Sequence, residues 1–221
     1  MPETDPPGAA EARVLVARWL PPGFALAAGD PGAPAPRDPD TPPGAVEARA
    51  REFAAGRRAA RQAAARAGLV LERLPMGADR APVWPAGLTG SIAHAGGLCL
   101  AVVGPADWGN LGLDLEPERG LDPALRETIL RPEERGIGAA EALAVFVVKE
   151  AAYKAQYPIT RRLFDFQAMR VDLRPGRFRA VLTEDQPPLR TGVAIEGFRG
   201  RAGGHVLALA LCPRGRPSSD A

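Results

Sequence analysis

The sequence predicts an α+β fold in which each half of the chain carries one long helix and a set of short strands. Three observations predict it. Residues 45–67, AVEARAREFAAGRRAARQAAARA, are rich in alanine and arginine, follow a run of prolines and stop at Gly68, so both helix ends are marked. Residues 139–156, AAEALAVFVVKEAAYKAQ, are strongly periodic and precede Pro158, which predicts a second helix that the proline ends. Around both lie short apolar runs bounded by glycine or proline, the mark of strands. The residues themselves do not repeat, which leaves two pseudo-equivalent lobes as an open architecture.

Taken in order, residues 12–20 (ARVLVARWL) read as a strand, and the turn-rich GDPGAPAPRDPDTPPG after them as a surface loop. Beyond the first long helix, the proline-rich GADRAPVWPAG leads into SIAHAGGLCLAVVG and NLGLDLEP, which read as neighbouring strands. Asp122 and Pro123 form a good start for a short helix through Leu130. The tail offers strands at FQAMRVDL, RFRAVLT, GVAIEGFRG and HVLALALC, with RGRAGG as a hairpin turn and PRGRPSSDA as a loose end.

Composition excludes several classes. With 221 residues and 46% hydrophobic content, the chain can bury a real core. A net charge of +2 and 5% aromatics are too little for a nucleic-acid surface. No apolar run approaches the roughly 20 residues of a membrane span. The acidic, proline-containing start MPETDPPGAAEA is unlike a secretory signal. Cys99 and Cys212 lie in apolar runs and read as buried hydrophobes, which fits a reducing cytoplasm.

The chemistry concentrates around two lysines. Of 28 basic residues only Lys149 and Lys154 are lysine, and they bracket Glu150 on the second helix. A compact ammonium does chemistry that a broad, permanently charged guanidinium does badly. In LGLDLEP, Asp114 and Glu116 are two apart on a strand and face the same side. Alone they would equally suit the solvated face of a half-buried strand. Glu150 supplies a third carboxylate, and two or three carboxylates are what a hard cation such as Mg²⁺ takes beside substrate phosphate. Otherwise Glu150 forms an i,i+4 pair with Lys154. His94, in the glycine-flanked GSIAHAGG, could donate to a phosphate oxygen or be structural. His205 has no such company and reads as structural. Arg49 and Arg57, eight apart on the first helix, reach one side and suit a terminal phosphate, unless they are a solvated helix face. Arg80, in DRAPVWP, is open to the same two readings.

In fixed order, GRRAAR, DRAPVWPAGLTGSIAH, LGLDLEP and FVVKEAAYKAQYP closely resemble the 4'-phosphopantetheinyl transferases, in the branch that includes the enterobactin synthase component. The likeness runs from about Arg49 to Pro158, and the GxDxE strand with the KExxxK helix at this separation is its specific part. It implies a pseudo-twofold enzyme of two similar lobes, each an antiparallel sheet with a long helix, at 1–112 and 113–213, followed by a loose tail at 214–221. Coenzyme A and Mg²⁺, for which Mn²⁺ can substitute, would bind between the lobes. The partner would be an apo acyl or peptidyl carrier protein, and a monomer is expected. The resemblance implies Asp114, Glu116 and Glu150 as metal ligands. It also implies His94 and Lys154 at the coenzyme's phosphates with Lys149 beside them, and Arg49, Arg57 and Arg80 at the 3'-phosphate and adenosine end. Glu150, Lys154 and His94 would be the catalytic set. Ala93 and Val147 stand where the family pattern usually has hydroxyl residues. They support a rival reading, a non-catalytic coenzyme-binding assembly protein, while a diphosphate hydrolase would need water in place of the carrier serine.

Overall fold

The computed structural model describes residues 6–33, 38–41, 44 and 46–212. Its elements are helix α1 (Ala9–Ala17), strand β1 (Ala25–Gly29), helix α2 (Glu47–Arg66), strands β2 (Leu88–Ala95), β3 (Leu98–Pro105) and β4 (Asn110–Pro117), and helices α3 (Pro123–Ile129) and α4 (Ala139–Thr160). Strands β5 (Met169–Arg174), β6 (Arg177–Leu182), β7 (Ala194–Ala202) and β8 (His205–Cys212) complete the fold. Among the described residues the strands form two antiparallel sheets, a three-stranded one in the order β1-β3-β2 and a five-stranded one in the order β4-β8-β7-β6-β5. Helix α2 covers the first sheet and α4 the second, which is the two-lobed α+β arrangement that the sequence implies.

Four details differ from the sequence reading. Residues 12–20 do not form a strand: α1 is helical because Ala9, Ala12 and Val16, at helical spacing, are buried, and this stripe begins upstream of the alternating run. SIAHAGGLCLAVVG is a hairpin rather than one strand, turned by Gly96 and Gly97 at φ 58° and 82°, which glycine adopts without strain. Strand β4 pairs with β8, not with its predecessor β3; it meets the first sheet at β2, where the Leu113 amide donates to Ser91 Oγ at 2.9 Å. Pro158 lies within the last turn of α4 without ending it, and Arg161 closes the helix in the left-handed conformation. Strand β1, unread in the sequence, fills the edge beside β3. Of the predicted surface loop, residues 34–37 and 42–43 lie outside the described residues, as do residue 45 at the start of the first predicted helix and the predicted loose end.

The core is layered. Leu143, Val147, Val148 and the alanines of α4 pack on Phe178, Leu182, Ile195 and Ala208 of the second sheet. On the other side of that sheet, α1 caps a cluster drawn from both lobes: Leu98, Leu100 and Val102 of β3 with Leu111, Leu113, Leu115, Leu207 and Leu209 of β4 and β8. Fully burying a leucine side chain contributes about 1.5–3 kcal/mol, so this shared layer is a major source of cohesion. The two departures, Ala93 and Val147, sit within these hydrocarbon layers.

Candidate active site

Close packing of α4 on β4 assembles the site. Gly112 makes this approach necessary to its own identity: a Cβ there would lie 1.9 Å from the Ala151 carbonyl oxygen and 2.6 Å from the Ala155 amide. With α4 drawn in so tightly, the residues on its inner edge, Glu150 and Lys154, meet the strand residues that share the face of Gly112, namely Asp114 and Glu116.

Lys154 Nζ donates to Asp114 Oδ1 at 2.6 Å and to the Leu113 carbonyl at 3.2 Å. Asp114 is buried, and its second oxygen, Oδ2, has no hydrogen-bond partner among the described residues. Burial pushes the Asp114 carboxyl above its ordinary value, against the pull of Lys154 and, more weakly, of His94 at the exposed end of β2. Glu116 is raised first by burial and then by the charge of Asp114. Glu150 is raised by burial and by Asp114 and Glu116, with Lys154 opposing. Glu116 thus feels Asp114, and Glu150 feels both, a clustering of negative charge that suits a site for positive charge.

The side chains are not drawn in around one point: among the described residues no group of three His, Cys, Asp or Glu side chains is arranged to hold a metal ion. The donor chemistry nevertheless fits a hard divalent cation. One buried carboxylate oxygen is unpaired, and the charges of Asp114 and Glu116 disfavour that of Glu150.

The raised values have a stability consequence. A carboxyl held above its ordinary value in the folded state binds its proton more tightly there than in the unfolded chain. Its stabilising effect is complete below the ordinary value of 4.5 for glutamate and is lost as pH rises through the raised one. The metal-free protein is therefore expected to lose thermal stability as pH rises above about 5. Glu116→Gln is expected to recover about 2–4 °C at pH 8 and nothing at pH 4, as thermal melts across that range will show.

The structure distributes the other predicted residues unequally. Lys149 does not join this cluster. It is 2% exposed, and Nζ donates to Glu134 Oε2 at 2.7 Å, the Ile129 carbonyl at 2.7 Å and the Phe166 carbonyl at 3.1 Å. Consecutive helical residues point about 100° apart, which is how Lys149 and Glu150 come to serve different sides of α4. Arg49 is exposed on α2, whereas Arg57 is buried, with Nε donating to the Leu74 carbonyl at 2.7 Å and its guanidinium 4.1 Å from the Phe53 ring. Burial lowers the pKa of Arg57 from its ordinary value, with Asp38 and Asp40 opposing. Arg80 is exposed at φ 66° in a tight turn whose neighbour Asp79 accepts from Tyr157 Oη at 2.9 Å and from Arg161 at 3.2 Å. That contact ties the DRAPVWP loop to the end of α4. His205 bridges the lobes, with its ring nitrogens 2.9 Å from the Gly203 carbonyl and 3.2 Å from that of Ala95. Glu134, Ser91 and Asp79 were not singled out in the sequence: their partners lie 15, 22 and 78 residues away, beyond any local pattern.

Comparison with known proteins decides the family. Residues 41–104 match the 4'-phosphopantetheinyl transferase N-terminal domain, and residues 110–210 match the 4'-phosphopantetheinyl transferase superfamily. The chain is 35% identical over 190 residues to 4'-phosphopantetheinyl transferase Svp of Streptomyces mobaraensis, covering 80% of this chain and 77% of that protein. The chain belongs to the 4'-phosphopantetheinyl transferase superfamily. Among its phosphopantetheinyl transferase relatives, PptT of Mycobacterium tuberculosis is 31% identical over 71% of this chain and 74% of its own length. Enterobactin synthase component D of Escherichia coli is 38% identical over 89 residues, 36% of this chain and 42% of that one. The two matched segments meet between β3 and β4, where the first sheet ends at Pro105 and the second begins at Asn110.

Proposed function

We propose that this phosphopantetheinyl transferase uses the cleft between β4, α4 and the end of β2 to move the 4'-phosphopantetheine arm of coenzyme A onto a serine of an apo acyl or peptidyl carrier protein. The observation that carries this placement is the buried Asp114 carboxylate, paired on one oxygen with Lys154, unpaired on the other, and electrostatically coupled to Glu150 and Glu116.

Asp114, Glu116 and Glu150 would hold Mg²⁺ or Mn²⁺. Such an ion, when bound, offsets the charge of the coenzyme's diphosphate and makes the phosphorus that bears the pantetheine arm more electrophilic. Lys154 and His94 orient the phosphate oxygens and offset charge that develops on them. Glu150, or a water held by it, accepts the serine proton as the hydroxyl oxygen bonds to phosphorus and adenosine 3',5'-bisphosphate departs. Arg49 and Arg80 are exposed and suit the 3'-phosphate and the adenosine end, whereas the buried Arg57, held on the Leu74 carbonyl, would support them only from within the fold. Charged groups dominate the proposed contacts to coenzyme and metal, so loss of one neutral hydroxyl at Ala93 or Val147 costs only about 1 kcal/mol.

The relation to enterobactin synthase component D favours a carrier of siderophore assembly, with nonribosomal peptide or polyketide carriers as the chemical neighbours. The buried free thiols of Cys99 and Cys212 support work in the cytoplasm. Among the described residues no helix is long and apolar enough to cross a membrane. The test is intact-mass spectrometry of apo carrier incubated with the protein, coenzyme A and Mg²⁺, beside an EDTA control. A phosphopantetheine mass gain that EDTA abolishes is expected, and no gain on any carrier despite coenzyme binding would refute the proposal. Carrier proteins are usually acidic and this chain is arginine-rich, so raising salt from 0.05 to about 0.5 M should lower kcat/KM for the carrier severalfold. A salt-independent kcat/KM would remove charge steering from the account.

A further inference from the structure

We propose that Lys149 is a positioning residue for the transfer reaction, its buried ammonium fixing the rotation of α4 about its axis and thereby where Glu150 points. The inference rests on the reading of Glu150 given above and concerns a residue that touches neither coenzyme nor carrier. An ammonium has three N–H donors, and all three are spent, on Glu134, on Ile129 and on Phe166. None is left for a phosphate. Both oxygens of Glu134 are engaged in turn: Oε2 also accepts from the Arg131 amide at 3.0 Å, and Oε1 accepts from the Val171 amide at 2.7 Å.

The pair therefore fastens one side of α4 to the end of α3, to the turn at Pro132–Glu134, to the turn before β5 and to β5 itself. The first two of these belong to the excursion that leaves β4 after Pro117 and returns at Ala139 to the helix that bears Glu150, and the last two follow that helix. The excursion is packed as well as bonded, with Ile129 and Leu130 against Ala142 and Val145 of α4. The other side of α4 is held by Lys154 on Asp114. Rotation of the helix is thus pinned from two directions by the only two lysines of the chain. A helical side chain lies about 5–6 Å from the axis, so a rotation of about 20° would carry the Glu150 carboxylate about 2 Å. A displacement of that size at a reacting centre costs roughly 100-fold in rate.

Breaking one partner alone would bury an uncompensated charge and could unfold the protein. The decisive variant therefore removes both charges at once. In the full-length protein, with apo carrier, coenzyme A and Mg²⁺, the double variant Lys149→Met/Glu134→Leu is compared with Lys149→Met, Glu150→Gln and wild type for Tm, kcat and coenzyme KM. The double variant is expected to stay folded but melt about 5–10 °C below wild type, because it removes both buried charges yet leaves the Ile129 and Phe166 carbonyls and the Arg131 and Val171 amides without their partners. Its kcat should remain at least about 10-fold down with coenzyme KM within about threefold, because the carbonyl anchors at Ile129 and Phe166 are lost while the phosphate contacts stay. Three results overturn the proposal. A double variant with wild-type Tm and wild-type kcat shows the pair to be dispensable. A coenzyme KM raised about 10-fold at unchanged kcat puts the ammonium on the coenzyme. A double variant that melts more than about 10 °C lower and loses activity shows that the pair holds the fold as a whole. Full turnover in Glu150→Gln would refute the reading of the site itself, whatever the Lys149 variants do.

Discussion

Glu150→Gln is expected to slow phosphopantetheine transfer by about 10²–10⁴-fold, the range for loss of a general base, with coenzyme A still bound. The amide keeps the size of the side chain but takes no proton and is a poor ligand for a hard cation. Folding should not suffer. Glu150 is raised by burial and by two neighbouring carboxylates, so neutralising it removes repulsion, and the metal-free variant should melt at or above wild type at pH 8. Turnover by mass spectrometry and Tm by calorimetry together separate a lost chemical group from a lost fold. Wild-type turnover at saturating Mg²⁺ would assign the proton and the metal to other groups.

Gly112→Ala should have the largest effect on stability, a loss of about 3 kcal/mol or more. Its new Cβ would stand 1.9 Å from a carbonyl oxygen and 2.6 Å from an amide of α4, both backbone atoms that cannot move aside without shifting the helix. At this chain length such a loss lowers Tm by roughly 6–12 °C. Activity should fall further than the folded fraction does, because the helix that must retreat carries Glu150 and Lys154. Gly136→Ala is the control: nothing lies within 4 Å of its Cβ position, and it should melt like wild type. A Gly112→Ala protein with normal Tm would mean that α4 does not pack on β4 as described.

The residues of the site were legible where their chemistry rode on a regular element. Asp114 and Glu116 share a face because strands alternate, and Glu150 and Lys154 share one because helices repeat every 3.6 residues. Lys149 was misplaced for the same reason. It stands beside Glu150 in sequence, and only the surroundings of α4 decide which of two faces 100° apart looks into the cleft. Its partner Glu134 is 15 residues away in a turn that no periodicity marks. Arg57 reads as a phosphate contact or a solvated arginine of an alanine-rich helix, yet it is buried against Leu74 and Phe53. The helices and the tail strands follow from pattern and punctuation. ARVLVARWL did not, because its apolar positions satisfy a two-residue and a helical spacing alike, and the choice falls to the alanines before it.

The hydrocarbon layer beneath α1 takes side chains from β3 on one side and from β4 and β8 on the other. Neither half therefore possesses a complete interior of its own. Residues 6–105 made without the rest would leave Leu98, Leu100 and Val102 facing water, and residues 110–212 would strand five leucines. The chain should melt in a single calorimetric transition, and separately expressed halves should be insoluble apart yet able to restore one another when refolded together. The line between the lobes is a seam in one cooperative unit, and any ligand bound along its rim would have to enter by moving side chains and loops, since parting the lobes would cost the fold.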